Sequence, residues 1–158
     1  MEPTFESILS FPQGTLCALL RDAYSFEPGF ERDFLSQWED FDRFFHDHPA
    51  IAESCGFMTV LGRTPIGFVT WNPTRLPEYV EMGHNCIASA FKGRGFGRMQ
   101  MRHAVRRILD RSPQSIRVTT NEFSSPLSIP MKARAFASSA GAKSRSAPGM
   151  SDCAWNIG

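Results

Sequence analysis

Three glycines alternate with basic and aromatic residues in the segment Lys92-Gly93-Arg94-Gly95-Phe96-Gly97-Arg98, between a predicted strand and a predicted helix. Glycine allows the backbone to adopt a positive φ and allows a ligand to approach closely. The helix that follows directs its unpaired N–H groups and the positive end of its dipole into the same turn. Because Lys92, Arg94 and Arg98 add positive charge, the segment predicts a binding site for phosphate or pyrophosphate.

The residues before this turn predict two helices and a β-hairpin. Apolar residues recur at helical spacing from Thr15 to Ala23 and from Phe30 to Phe45, where acidic residues occupy the opposite side of the second helix. Two short apolar runs, 57–61 and 66–71, are joined by a segment that contains Gly62 and Pro65 and predict the hairpin.

A long strand, 79–91, is predicted before the turn, and a helix from about Arg98 to Arg111 is predicted after it. The buried stripe of this helix is expected to contain Met101, Val105, Ile108 and Leu109. The remaining predicted elements are a strand over 116–120, a helix over 130–140 and a closing strand over 153–157. We predict a single α/β (α+β) domain that spans 1–158, with helices along a mixed sheet.

The net charge of +1 conceals an uneven distribution along the chain. Residues 1–79 carry 5 Arg and no Lys against 12 acidic residues, a net charge of −7, whereas residues 80–158 carry 12 basic and 4 acidic residues, a net charge of +8. The second half of the chain is therefore expected to bind an anion.

Cysteine usage and hydropathy predict a cytoplasmic protein. The four cysteines lie far apart without a CxxC pair, which is typical of reduced thiols. No apolar run reaches the roughly 18 residues of a membrane span, and the first residues lack the basic and apolar regions of a signal peptide. We expect no membrane partner.

The spacing of the glycines disfavours two common phosphate motifs. A P-loop needs two glycines separated by four residues and followed by Lys-Ser/Thr, which the sequence lacks. A dinucleotide fingerprint needs Gly-x-Gly-x-x-Gly, and here the third glycine comes one residue too early. A glycine-rich turn without a ligand is the structural alternative.

The segment 92–97 resembles the Arg/Gln-x-x-Gly-x-Gly/Ala motif by which the GNAT acyltransferase superfamily binds acetyl-coenzyme A, with Lys92 at the first position. The stretches 83–87 and 119–122 are similar to a bacterial branch of that superfamily. The resemblance implies a mostly antiparallel central sheet, flanked by helices, in which two strands splay apart around the pantetheine arm of the coenzyme.

The resemblance also implies the residues that hold acetyl-coenzyme A as the acyl-donor co-substrate. Ile87 and Ala88 offer backbone groups to the pantetheine, and Asn121 touches the same arm. The pyrophosphate is held at the turn by Lys92, Gly93, Arg94, Gly95, Phe96, Gly97 and Arg98.

Acyl transfer to an amine needs a base to remove a proton from the ammonium, directly or through water. Glu81 and His84, on the strand before the turn, are the candidate catalytic residues. Their spacing of three residues would place them on opposite faces of an ideal strand. The resemblance implies a bulge there, so the alternation of faces cannot choose between them. An exposed edge acid and a structural histidine are the alternative interpretations.

The proton donor usual in this superfamily is missing. Many members place a Tyr four residues before a Gly-Phe pair, where this sequence has Ala137 before Gly141-Ala142, and no tyrosine follows Tyr79. Water, Ser138 or Ser139 would then protonate the thiolate, or the protein has altered its catalysis.

Three functional hypotheses follow. The first is an N-acyltransferase that moves the acetyl group from acetyl-coenzyme A to a primary amine of a small molecule or peptide, by direct attack in a ternary complex. The second is a catalytically weak acyl-coenzyme A sensor or partner module. The third, nucleic-acid binding through Arg98, Arg102 and Arg106, is disfavoured by the acidic first half. No metal site is predicted, and oligomeric state stays open, a homodimer included.

Overall fold

Residues 1–118 are described by the computed structural model, and they form a five-stranded sheet with helices on both faces. The strands are β1 (Thr4–Glu6), β2 (Gly56–Leu61), β3 (Thr64–Asn72), β4 (Tyr79–Ile87) and β5 (Ser115–Val118). The helices are α1 (Thr15–Ala23), α2 (Pro28–Asp47), α3 (Pro49–Ser54) and α4 (Phe96–Leu109). None of these helices combines the length and the apolar character that crossing a membrane requires.

The sheet has the strand order β1-β2-β3-β4-β5, with antiparallel neighbours except for the parallel pair of β4 and β5. This arrangement confirms the predicted mixed, mostly antiparallel sheet flanked by helices. The ladder between β4 and β5 runs from Tyr79↔Ser115 to Met82↔Val118. The predicted splay past this point, Asn121, the helix over 130–140 and the strand over 153–157 all lie outside the described residues.

Several boundaries differ from the predictions. The strand before the glycine turn ends at Ile87 rather than Phe91, because the N–H of Phe91 donates to the carbonyl of Ala88 and closes a 3-10 turn over Ser89–Phe91. The helix after it begins at Phe96, two residues earlier than predicted. Leu109, predicted in the buried stripe of α4, is 39% exposed. The short strand β1 and the one-and-a-half-turn helix α3 had no clear sequence signal.

Two hydrophobic clusters fill the two sides of the sheet. The side covered by α1 and α2, called here the α1/α2 face, packs Trp38, Phe41, Phe45, Met58 and Phe68. The opposite side, the α4 face, packs Phe57, Val69, Trp71, Met101 and Ile108. Helices therefore cover a buried hydrophobic cluster on each side of the sheet.

A buried amide fixes α4 on the sheet. The Nε2 of Gln100, which is fully buried, donates to the carbonyl of Phe68 at 2.9 Å and to Oδ1 of Asn85 at 2.6 Å. Its Oε1 accepts from the hydroxyl of Thr59 at 2.6 Å. One side chain therefore joins α4 to three strands, and each buried polar group of the amide has a partner.

A buried carboxylate joins α2 to the start of α1. Gly14, the residue before α1, has a φ of +101° and no side chain with which to cap the helix. The carboxylate of Asp42 replaces that cap, because it accepts the N–H groups of Gly14 at 3.0 Å and Cys17 at 2.8 Å. His46 lies beside it, with Nδ1 3.3 Å from the carboxylate. The orientation of α1 on α2 thus depends on one acidic side chain.

Asp42→Ala is expected to lower the free energy of unfolding by about 3 kcal/mol, because it removes a helix cap and leaves the buried N–H of Cys17 and the part-buried N–H of Gly14 without a partner. Asp40→Ala is the matched control: Asp40 lies on the same helix but is exposed, and its ion pair with Arg43 is a surface pair worth about 1 kcal/mol at most. Urea unfolding of both variants measures the difference. Equal losses would contradict the capping role.

Candidate functional site

The predicted anion-binding turn has the backbone conformation that glycine permits. Gly93 has a φ of +73° and Gly95 a φ of +88°, values at which other L-residues are strained. No heavy atom of the described chain lies within 4 Å of the position that a Cβ would take at either glycine. The requirement for glycine here is therefore conformational, and beyond the immediate chain neighbours no residue of 1–118 fills the space above the turn.

The N-terminus of α4 opens into the same space. Gly95 is its N-cap, no side chain of the described residues caps it, and its first turn contains no acidic residue. The N–H groups of Phe96, Gly97 and Arg98 belong to that first turn, where an α-helix has no backbone acceptors of its own. The turn and the helix end together can hold an anion, as the sequence predicts.

The three basic residues of the turn differ in position. Arg94 is exposed, and its guanidinium lies 5.7 Å from the ring centre of Phe91 and 5.6 Å from that of Phe96. Arg98 is also exposed. The Nζ of Lys92 instead donates to the carbonyl of Ala23, at the C-terminal end of α1. In the described structure the ammonium of Lys92 is thus bonded to α1, whereas Arg94 and Arg98 flank the turn.

Ile87 and Ala88, the two residues predicted to hold the pantetheine, differ in whether their backbone groups are already hydrogen-bonded. The N–H of Ala88 donates to the carbonyl of Ile66 at 2.7 Å, and its own carbonyl accepts from Phe91 at 2.9 Å. This first bond flanks the pair Gly67↔Ile87, which is therefore a non-hydrogen-bonded pair of the antiparallel ladder. The N–H and carbonyl of Ile87 consequently point away from β3, whereas both backbone groups of Ala88 already have partners.

A bulge interrupts β4 in its middle. Val69 pairs with Asn85 and Trp71 with Met82, so Gly83 and His84 together lie opposite Thr70. A Cβ at Gly83 would lie 2.7 Å from Oγ1 of Thr70, a distance that requires glycine or a shift of the strand. The bulge implied by the family resemblance is confirmed.

This bulge brings the two candidate bases to one face of the sheet. Val80 and Met82 pack in the cluster of the α4 face, so Glu81 between them lies on the α1/α2 face. After the bulge the alternation is reversed, and the ring of His84 lies 4.4 Å from that of Phe41 of α2. Glu81 and His84 thus share a face despite their opposite parity in the sequence.

The two candidates differ in their surroundings. His84 is 8% exposed, and burial lowers the pKa of its imidazole to about 4, so the ring is neutral at physiological pH. Glu81 is partly exposed and pairs in register with Asn72 of β3 and Arg117 of β5. The imidazole is therefore enclosed, whereas the residue that carries the carboxylate is partly exposed.

Sequence reasoning missed two residues that position this site. Gln100 could have been found, since it lies four and eight residues before Ala104 and Ile108 in the apolar stripe of α4. Asp22, whose carboxylate accepts the N–H of Ser89 just before the glycine turn, is 67 residues away in the sequence and has no local signal.

His46 and His48, at the C-terminal end of α2, are bonded to backbone carbonyls. Both ring nitrogens of His46 lie 3.1 Å from backbone carbonyls, of Asp42 and Phe11, and Nδ1 of His48 lies 2.8 Å from that of Phe44. Among residues 1–118, no group of three or more His, Cys, Asp or Glu side chains is arranged to hold a metal ion.

Residues 16–126 match the model of the Acetyltransferase (GNAT) family. Similar solved structures include an IAA acetyltransferase from Bacillus cereus (19% identity, 78% of this chain and 69% of that chain, TM-score 0.50). A GNAT family acetyltransferase from Elizabethkingia anophelis with acetyl-CoA bound matches at 15% identity over 78% and 68% of the two chains, with a TM-score of 0.54. The PaiA N-acetyltransferase from Thermoplasma acidophilum in complex with coenzyme A matches at 12% identity over 79% and 83%, with a TM-score of 0.58. No curated protein sequence matches the chain.

The buried His84 is expected to make the stability depend on pH. Its pKa of about 4 in the folded state lies below the ordinary 6.5, so the unfolded chain binds the proton more readily. Stability should therefore fall as the pH drops from about 6.5 to about 4, by about 3 kcal/mol in total. The measurement is the free energy of urea unfolding across that range for the parent and His84→Leu. Parallel curves for the two proteins would show that His84 titrates normally.

Proposed function

The chain belongs to the GNAT acetyltransferase family, and from this premise we propose that it transfers an acetyl group from acetyl-coenzyme A to a primary amine. The observation that carries the proposal is the glycine turn at a helix N-terminus that no side chain of residues 1–118 caps, one 3-10 turn past a strand that bears two candidate bases. Acetyl-CoA and coenzyme A are bound in two of the similar structures, which supports the choice of donor.

In this proposal the donor lies along the end of β4 and the start of α4. The N–H groups from Gly93 to Arg98 hold the pyrophosphate, and the exposed Arg94 and Arg98 neutralise its charge. Ile87 offers its outward N–H and carbonyl to the pantetheine arm, as an additional strand would. Asn121, assigned by resemblance, would contact the same arm.

The reaction is a direct attack within a ternary complex. A neutral amine attacks the thioester carbon with its lone pair and forms the C–N bond. The nitrogen loses one proton, the C–S bond breaks, and the coenzyme leaves as a thiolate that takes up a proton, so that the products are an amide and free coenzyme A. Holding both reactants in line supplies much of the rate, and an N–H group near Ile87 stabilises the oxyanion.

We assign the general base to Glu81. The imidazole of His84 is buried against Phe41, and burial opposes the positive charge that it would acquire with a proton from an ammonium. The partly exposed carboxylate of Glu81 can accept the proton directly or through water. His84 then acts as a packing residue that holds Phe41 of α2 against the bulge.

A second candidate function is an acyl-coenzyme A sensor or partner module with weak turnover. The sequence favours it at one point, because no tyrosine follows Tyr79 to protonate the thiolate. Water, Ser138 or Ser139 would have to serve instead. Release of free thiol at enzymatic rates with any of a panel of amines would exclude this candidate.

Gly95→Val is expected to weaken the binding of acetyl-coenzyme A at least about 100-fold, because a β-branched residue at φ +88° disfavours the turn conformation and covers the anion site. Gly14→Val is the matched control, since Gly14 is also an N-cap glycine at positive φ, and no heavy atom of the described chain lies within 4 Å of the position that its Cβ would take. Isothermal calorimetry measures both, alongside their thermal unfolding. If the parent chain binds no acetyl-coenzyme A at millimolar ligand, the proposed function is wrong.

Glu81→Gln is expected to lower kcat about 100-fold or more while the dissociation constant for acetyl-coenzyme A stays within about two-fold, since a general base contributes about 10² to 10⁴ in rate. Glu78→Gln, an exposed carboxylate just before β4, is the control and should retain full activity. The assay follows free thiol with an amine that the parent acetylates. A larger loss of kcat in His84→Gln than in Glu81→Gln would transfer the base to His84.

A further inference from the structure

The segment just before the glycine turn is bonded to the C-terminal end of α1. The carboxylate of Asp22 accepts the N–H of Ser89 at 2.6 Å, and the carbonyl of Asp22 accepts the hydroxyl of Ser89 at 2.8 Å. The ammonium of Lys92 donates to the carbonyl of the next residue, Ala23, and lies 5.3 Å from the ring centre of Phe26. Both ends of the 3-10 turn Ser89–Phe91 are thus held by α1 and the residues after it.

The dipole of α1 acts in opposite directions on Lys92 and on Asp22. Lys92 at the C-terminal end of α1 is favourable, because the helix dipole places negative charge there. The carboxylate of Asp22 is in the same last turn, where the dipole opposes it. An acid at this position therefore does not stabilise the helix itself. The favourable contact of the Asp22 carboxylate is its hydrogen bond from the N–H of Ser89.

The backbone carbonyl of Asp22 also bonds to the connection between α1 and α2. The oxygen of Asp22 accepts the N–H of Ser25 at 3.2 Å and its hydroxyl at 2.7 Å, in addition to the hydroxyl of Ser89. This connection, 24–27, joins the two helices that cover the face bearing Glu81 and His84. An amine that reaches either base must approach on that face, beside α1 and α2.

We propose that Asp22 is a positioning residue that couples the two substrate sites: donor binding at the glycine turn orders the connection 24–27, and an acceptor bound there strengthens donor binding in return. The inference rests on the proposed function, since it takes the turn to be the coenzyme site. The reciprocity follows from linkage, because the two binding events share one free energy of coupling. The coupling acts through conformational order: when one ligand has ordered its own segment, the turn or the connection 24–27, the other ligand binds to a segment that is already held in place.

The test uses coenzyme A alone, so that no acceptor has to be known. Hydrogen exchange of the whole chain is followed with and without saturating coenzyme A, and calorimetry gives its dissociation constant. In the parent, exchange should slow both at 93–98 and at the amides of Ser25 and Glu27, which donate to the carbonyls of Asp22 and Tyr24. In Asp22→Ala, the dissociation constant should rise about 10-fold, and saturating coenzyme A should protect 93–98 but no longer 24–27.

Two further variants keep the result interpretable. Asp22→Asn removes the charge but retains an oxygen that can accept the N–H of Ser89, so it should keep most of the coupling. If the charge of Asp22 caused the effect, Asp22→Asn would behave like Asp22→Ala. Asp33→Ala removes an exposed acid that pairs with its neighbour Arg32 and should leave affinity and exchange unchanged. If Asp22→Ala fails to fold, Ser89→Ala, which removes the hydroxyl bond alone, should show a smaller loss of protection at 24–27.

The outcomes separate the two claims. Equal protection of 24–27 in the parent and in Asp22→Ala at saturating coenzyme A would overturn the coupling while leaving the donor site intact. Protection at 93–98 without any at 24–27 in the parent would also overturn it. A parent chain that binds no coenzyme A would remove the proposed function and this inference together.

Discussion

The arrangement of the site depends on the buried amide of Gln100. Its hydrogen bonds to β2, β3 and β4 fix α4 on the sheet, and an unpaired amide at that depth would cost about 1–3 kcal/mol for each group left without a partner. The strand beneath contributes a glycine, because a Cβ at Gly67 would lie 3.0 Å from the Gln100 oxygen and 2.4 Å from the carbonyl of Cys86. The position of the helix N-terminus relative to Ile87, and hence of the anion site relative to β4, follows from these contacts.

The bulge at Gly83 and His84 has the complementary effect on the other side of the sheet. Before it, Glu81 lies on the α1/α2 face; after it, His84 lies on the same face, and Asn85 lies on the α4 face, where it contacts Gln100. One strand therefore meets α4 on one face and carries the two candidate bases on the other. A regular strand would place Glu81 and His84 on opposite faces.

Local patterns predicted the elements with strong periodicity and failed where distant residues decide. The helices α1 and α2, the hairpin and the glycine turn each follow from spacing within a short window, and the structure confirms them. The direction of Lys92 does not, because its long side chain can reach either the turn or the carbonyl of Ala23, 69 residues earlier. The face of His84 depends on one extra residue opposite Thr70, which alternation in a single strand cannot show.

Part of the negative charge in the first half of the chain is explained by structural contacts of its acidic residues. The acids of the first half include Asp42, which caps α1, Asp22, which holds Ser89, and Glu31, which pairs with Arg21. Because these three carboxylates already have partners, they give no reason to expect a cationic acceptor. The rings of Tyr24, Phe26 and Phe30 pack against one another beside Lys92, in and next to the connection between α1 and α2. Aromatic side chains therefore lie beside the basic residue that is bonded to α1, whereas the exposed Arg94 and Arg98 flank the glycines of the turn.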